Sequence, residues 1–181
     1  MQQIMTDAIS RGHQTVAIFD DDVMFHSDYK RLLGSLLNCT RCACILSNTG
    51  CTPGVLKLGN TAWGNQHNVE WAVYEHGIVR DPCTTFNDKD LGSYATLYNT
   101  HTFKDILLWL ALERNLPFDW VYAWLAERNV PVRGAYPFLN IADISHPSAV
   151  RNRTKTDNIE ALVKKRALLH GWNLSLYSLP H

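Results

Sequence analysis

The sequence predicts a single α/β domain over residues 1–181, a mixed sheet flanked by helices, and three observations carry that expectation. Helical and strand-like apolar patterns alternate through the first half of the chain. The length of 181 residues and a hydrophobic content of 46% suit one domain with one sizeable core. The apolar run Val16, Ala17, Ile18, Phe19 delivers three consecutive acids, Asp20, Asp21 and Asp22, to the end of a strand. Ligands of α/β proteins bind at that edge of the sheet.

In chain order, Ile4, Met5, Ala8 and Ile9 form a helical stripe that Gly12 ends, and a strand follows over 15–19. Ser27 is placed to cap a helix whose Tyr29, Leu32, Leu33, Leu36 and Leu37 recur at three-and-four spacing. Residues 42–46 read as a second apolar strand. From Ser47 to Asp90 the glycines at 50, 54, 59, 64 and 77 punctuate short apolar pieces, including 69–74, with Pro53 and Pro82 as breakers. Such a stretch of loops and short strands suits the shaping of a pocket.

A strand is expected over 92–98, then a helix capped by Thr100 that carries Phe103, Ile106, Leu107, Leu110 and Ala111. Pro117 opens a further helix with Trp120, Val121, Trp124 and Leu125 on its buried stripe, and Asp119 stands near its start. Residues 130–144 read as an edge strand running into a loop that carries Asp143 and His146. Asp157 with Glu160 makes a capping box for a last helix ending at Gly171. Arg151, Arg153, Lys155, Lys164, Lys165 and Arg166 make that third basic, either as a solvated face or as a clamp on diphosphate oxygens.

Charge and cysteine usage bound the function. Seventeen Lys and Arg balance seventeen Asp and Glu, so no global field attracts nucleic acid or an anionic membrane. No apolar run is long enough to span a bilayer. The five cysteines, an odd number with Cys39, Cys42 and Cys44 bunched, do not suggest a paired extracellular framework; the bunch reads as small buried hydrophobes, with zinc as the alternative. With no basic region and long apolar stretch over residues 1–12 either, a soluble, reducing, cytoplasmic setting is expected.

Three adjacent carboxylates raise one another's pKa, and a hard divalent cation held by oxygen relieves the crowding. Asp20, Asp21 and Asp22 are therefore the candidate cofactor-binding residues. The stretch Ile18-Phe19-Asp20-Asp21-Asp22-Val23, the segment Gly92-Ser93-Tyr94-Ala95, the turn Leu116-Pro117-Phe118-Asp119-Trp120 and the stretch from Tyr136-Pro137 to Ser145 together resemble the family 25 glycosyltransferases. This family includes lipooligosaccharide and collagen galactosyltransferases.

The resemblance implies a GT-A fold and transfer of a sugar, with inversion, from a UDP- or GDP-sugar to a glycan or glycoprotein hydroxyl. It implies that Asp20 and Asp22 hold Mn²⁺ or Mg²⁺ on the donor diphosphate, with His146 as a further ligand, and that Asp119 is the catalytic base. Gly92, Ser93, Tyr94 and Trp120 become the expected substrate-binding residues, with the Trp63 to His67 region as a further stacking surface. In that family a strand–helix–strand unit precedes the metal motif, so this chain is expected to be short of that half, or to complete its site with another chain in a homo-oligomer.

Two other readings compete. An apolar strand followed by Asp-x-Asp also resembles the haloacid-dehalogenase-like phosphatases, with Asp20 as nucleophile, Asp22 as acid/base and the Ile45-Leu46-Ser47-Asn48 run as a second strand motif. A non-catalytic nucleotide- or carbohydrate-binding module is the third.

Overall fold

The computed structural model describes residues 1–47, 50–59, 61–62, 83–85, 90–113, 115–135, 138–143 and 174–178. Their elements are α1 (Gln2–Ser10), β1 (Thr15–Phe19), β2 (Val23–His26), α2 (Tyr29–Asn38), α3 (Thr40–Leu46), β3 (Val55–Lys57), β4 (Thr61–Ala62), β5 (Cys83–Thr85), β6 (Asp90–Leu91), β7 (Ala95–Asn99), α4 (Phe103–Leu112), α5 (Val121–Glu127), β8 (Val132–Ala135), β9 (Asn140–Ala142) and β10 (Tyr177–Ser178). The expected strand over 69–74, the Trp63 to His67 region, His146 and the basic helix ending at Gly171 lie outside the described residues.

A five-stranded sheet with the order β1-β7-β3-β8-β5 forms the centre. β7 runs antiparallel to both β1 and β3, β3 is parallel to β8, and β5 is antiparallel to β8. Hence β1, β3 and β8 point the same way and end at one edge. The mixed sheet with flanking helices agrees with the expected α/β class.

Side-chain alternation divides the core between the two faces. On one face Ile18, Val55, Tyr98 and Val132 pack with Met5 and Ala8 of α1, Phe103, Ile106 and Trp109 of α4, and Val121, Tyr122 and Leu125 of α5. On the other, Leu56, Leu58, Ala95 and Ala135 pack with Leu36 of α2 and with Cys42, Ile45 and Leu46 of α3. Val23 and Ile141, from the three-stranded sheet β10-β2-β9, close that second core.

Several elements differ from expectation. Residues 42–46 are helical, not a strand: Cys42, Ile45 and Leu46 are buried at helical spacing, and a short apolar run does not distinguish the two periods. β8 is an interior strand, between β3 and β5, and not an edge; Pro131 sits just before it, where a missing N–H costs no ladder bond. Neither Ser27 nor Thr100 caps a helix. Asp28 precedes α2 without a side-chain cap, and the Asn99 side chain accepts from the His101 N–H before α4. Trp120 is 49% exposed, and Tyr122 takes the expected tryptophan's place in the buried stripe.

The cysteines also depart from the expected unpaired state. Cys42 bonds to Cys83 and Cys44 to Cys51, while Cys39 forms no disulfide. A helix turns residues two apart to different sides, so Cys42 reaches inward to β5 while Cys44 reaches the turn at Cys51. Paired cysteines no longer speak for a reducing compartment.

Gly59 marks a close approach just beyond β3. A Cβ there would stand 2.1 Å from the Asn140 carbonyl oxygen and 2.4 Å from the Tyr94 ring. The first neighbour is backbone of β9, whose own N–H donates to the Leu58 carbonyl, and cannot swing aside. Gly59→Ala is expected to cost about 3 kcal/mol, read as a shift of the urea midpoint at unchanged slope.

Candidate functional site

The acids leave β1 at the edge where β3 and β8 also end. Asp20 is anchored by its N–H, which donates to the Tyr94 carbonyl at 2.9 Å and extends the β1–β7 ladder by one pair. The Asp22 carbonyl accepts the Asp143 N–H at 2.6 Å, tying the triplet to the end of β9. Asp143 is buried at 8% exposure. All three acids of the triplet keep contact with solvent.

Asp119 joins the same edge through a short bridge. Its Oδ2 accepts the Gly92 N–H at 3.2 Å, and Gly92 holds a left-handed φ of 97° that favours glycine. Two residues on, Tyr94 holds Asp20. The segment Gly92-Ser93-Tyr94 thus connects the two acidic elements that the sequence separates by about a hundred positions.

Of the expected substrate contacts, Gly92 and Ser93 are half-buried and Trp120 is open to solvent. Tyr94 is not available for stacking. Its ring is 5% exposed and lies under Gly59, where it walls the site instead.

Electrostatics mark Asp20. Partial desolvation raises its pKa, and the neighbouring charges of Asp22 and Asp21 raise it further. A carboxyl whose folded pKa is raised favours folding in its protonated form, so the contribution is full below the unfolded value of 3.8 and is lost as pH rises through the folded pKa. At neutral pH the Asp20 charge therefore opposes folding. Asp20→Asn is expected to stabilise the metal-free chain by about 0.5 kcal/mol at pH 7, a small figure because solvent screens the group. The gain should vanish below pH 4, as thermal melts across pH in chelator will show.

Behind the acids lies a polar layer that sequence reasoning missed. Ile18, Thr96, Lys57 and Gly134 form one row across β1, β7, β3 and β8. Lys57 is fully buried, with Nζ 4.7 Å from the centre of the Tyr122 ring. The Tyr122 hydroxyl lies 2.7 Å from that of Tyr98 and 3.1 Å from Thr96 Oγ1. Burial drives Tyr122 well above the ordinary phenol range and Tyr98 up to about 12, and the charge of Asp20 adds to both. Both hydroxyls therefore stay protonated at neutral pH. The one available signal was a lysine inside the apolar run Val55-Leu56-Lys57-Leu58. Asn140 is the other residue missed: fully buried, with neither side-chain atom hydrogen-bonded among the described residues.

Among the described residues no three His, Cys, Asp or Glu side chains converge as a ready-made metal centre. The donor chemistry does fit a hard divalent cation: Asp20 and Asp22 offer carboxylate oxygens, and the neighbouring charges that add to burial in raising the pKa of Asp20 are ones such an ion relieves. No helix among the described residues is long and apolar enough to cross a membrane. No protein-family model matches the chain, and no curated protein matches it significantly.

Proposed function

We propose that the chain is a metal-dependent, inverting glycosyltransferase that moves a sugar from a UDP- or GDP-sugar to a glycan or glycoprotein hydroxyl. The observation that supports this reading best is the bridge Gly92-Ser93-Tyr94, which fastens Asp119 and Asp20 to a common sheet edge. Asp20 and Asp22 would hold Mn²⁺ or Mg²⁺, which supplies neutralising charge to the departing diphosphate. Asp21 adds negative charge at the same turn.

Asp119 acts as general base. It takes the proton of the acceptor hydroxyl while the new carbon–oxygen bond forms at the sugar and the bond to the diphosphate breaks. The Gly92 N–H fixes the carboxylate's orientation through Oδ2 and leaves Oδ1 for the acceptor. Trp120, exposed beside it, offers an aromatic face to a sugar ring.

The phosphatase reading loses support, because the Ile45-Leu46-Ser47 run that stood for its second strand motif closes α3 instead. The test is calorimetric titration of UDP, GDP and inorganic phosphate with and without Mn²⁺. Nucleotide diphosphate binding that needs both the metal and Asp22 supports the proposal and identifies the base. Phosphate binding with phosphomonoester turnover would replace it by the phosphatase, and metal-dependent binding without transfer from any donor would leave a binding module.

A further inference from the structure

The segment Cys39-Thr40-Arg41-Cys42 has the C-x-x-C spacing of dithiol chemistry, and the acid-bearing edge makes no use of it. Cys39 closes α2 and opens α3, and its carbonyl accepts the N–H of Cys42 at 3.0 Å and that of Ala43 at 2.9 Å. This helical turn sets the Cα atoms of residues 39 and 42 about 5 Å apart, inside the range that a disulfide spans. Cys39 also extends the buried stripe of α3 by one turn, since Cys42, Ile45 and Leu46 follow it at helical spacing. Three sulfurs therefore share one apolar cluster: Cys42 and Cys83 are buried in it, and Cys39 is half-buried against it. Cys44 stands off that stripe and is bonded to Cys51. The Cys39 thiol thus lies one helical turn from a sulfur of the Cys42–Cys83 bond.

We propose that Cys39-Thr40-Arg41-Cys42 is a thiol–disulfide exchange site, in which Cys39 is the attacking thiol and Cys42–Cys83 is the bond it opens. The Cys39 thiol gives its proton to solvent and its sulfur attacks Cys42 Sγ, so that a Cys39–Cys42 bond forms as the bond to Cys83 breaks. The electron pair leaves on the Cys83 sulfur, which takes up a proton. One disulfide and one thiol are present before and after, so the step consumes no oxidant and no reductant. What changes is the anchorage of β5. That strand carries Cys83 and ends the five-stranded order among the described residues, and the bond to Cys42 is a covalent tie from it to α3. Exchange releases the tie and leaves β5 held by its ladder with β8. Cys83 also belongs to the stretch from Ser47 to Asp90 whose sequence suits the shaping of a pocket, so the exchange would govern how that stretch is fastened to the helices. A packing role for Cys39 alone predicts no exchange, and the two are separable by experiment.

The test uses the full chain, held without reductant at about pH 8, where thiolate is present, then quenched in acid and capped with a maleimide in acidic denaturant. Trypsin cuts after Arg41 and so separates Cys39, in residues 32–41, from Cys42, in residues 42–57, while Cys83 falls in residues 81–89. Exchanged chains should carry maleimide on Cys83 and a disulfide joining the 32–41 and 42–57 peptides. Chains that have not exchanged carry maleimide on Cys39 and a disulfide joining 42–57 to 81–89. Repeating the map with Cys44→Ala and Cys51→Ala leaves Cys42 as the one cysteine of its peptide. Cys39→Ser should lower the capping of Cys83 at least tenfold, because the attacking sulfur is gone. Cys83→Ser, treated with oxidised glutathione, should close the Cys39–Cys42 bond. Maleimide confined to Cys39 in the wild type overturns the proposal, as does capping of Cys83 that Cys39→Ser leaves unchanged. A Cys83→Ser chain in which oxidised glutathione joins no Cys39 to Cys42 overturns it as well.

Discussion

Asp22→Asn is expected to lower metal-dependent sugar transfer by about a hundred- to a thousandfold while leaving the melting temperature of the metal-free chain close to that of the wild type. The amide keeps the shape of the side chain but gives up the charge that draws a divalent cation and the second oxygen that holds it. Asp22 is exposed, and its structural bond is made by its backbone carbonyl, which the substitution leaves in place to accept the Asp143 N–H. Initial rates over a range of Mn²⁺ concentrations separate two failures: a weaker metal site is rescued by more metal, whereas a lost transition-state contact is not. Full metal-dependent transfer by Asp22→Asn would remove the acidic triplet from the mechanism. The same measurement on Asp119→Asn should show slower chemistry with donor binding preserved.

Removing the Cys42–Cys83 bond is expected to cost about 4 kcal/mol, because it releases a closed loop spanning 41 positions in the unfolded chain. Both sulfurs belong to the core beneath α3, where Cys42 is fully buried and Cys83 is 1% exposed. The double substitution Cys42→Ala with Cys83→Ala should show the loss in urea melts. Adding a thiol reductant to the wild type should reproduce most of it, and reductant should change the double variant much less. If the two thiols were unpaired, the double variant would lose only the small cavity term left by two sulfur atoms, and reductant would change the wild type no more than the double variant, through the Cys44–Cys51 bond alone.

The elements legible in the sequence were those with a long or repeated signal. The strand Thr15–Phe19 and the helix Tyr29–Asn38 lie where the apolar spacing places them. The α3 segment was misread because five residues with alternating cysteines satisfy a strand pattern as well as one turn of helix. β8 was misread as an edge because its flanking prolines suggest one, whereas its position between β3 and β5 depends on partners distant in sequence. The candidate site divides in the same way. Asp20, Asp21 and Asp22 announce themselves by adjacency, and Asp119 by its place in a turn; the Lys57, Thr96, Tyr98 and Tyr122 layer has no sequence signature, since its members come from separate strands and a helix.

The sequence alone determined the α/β class, the strand that carries the acids, and the crowding of like charge that makes those acids a candidate cation site. These follow from covalent neighbours and local periodicity. Tertiary structure decided that Asp119 meets the same edge through Gly92, that Tyr94 is buried rather than a stacking surface, that four cysteines pair, and that β1 is the outermost strand of the five-stranded sheet among the described residues. Each of these is settled by which strands lie next to one another, and that order is chosen by the packing of the whole core.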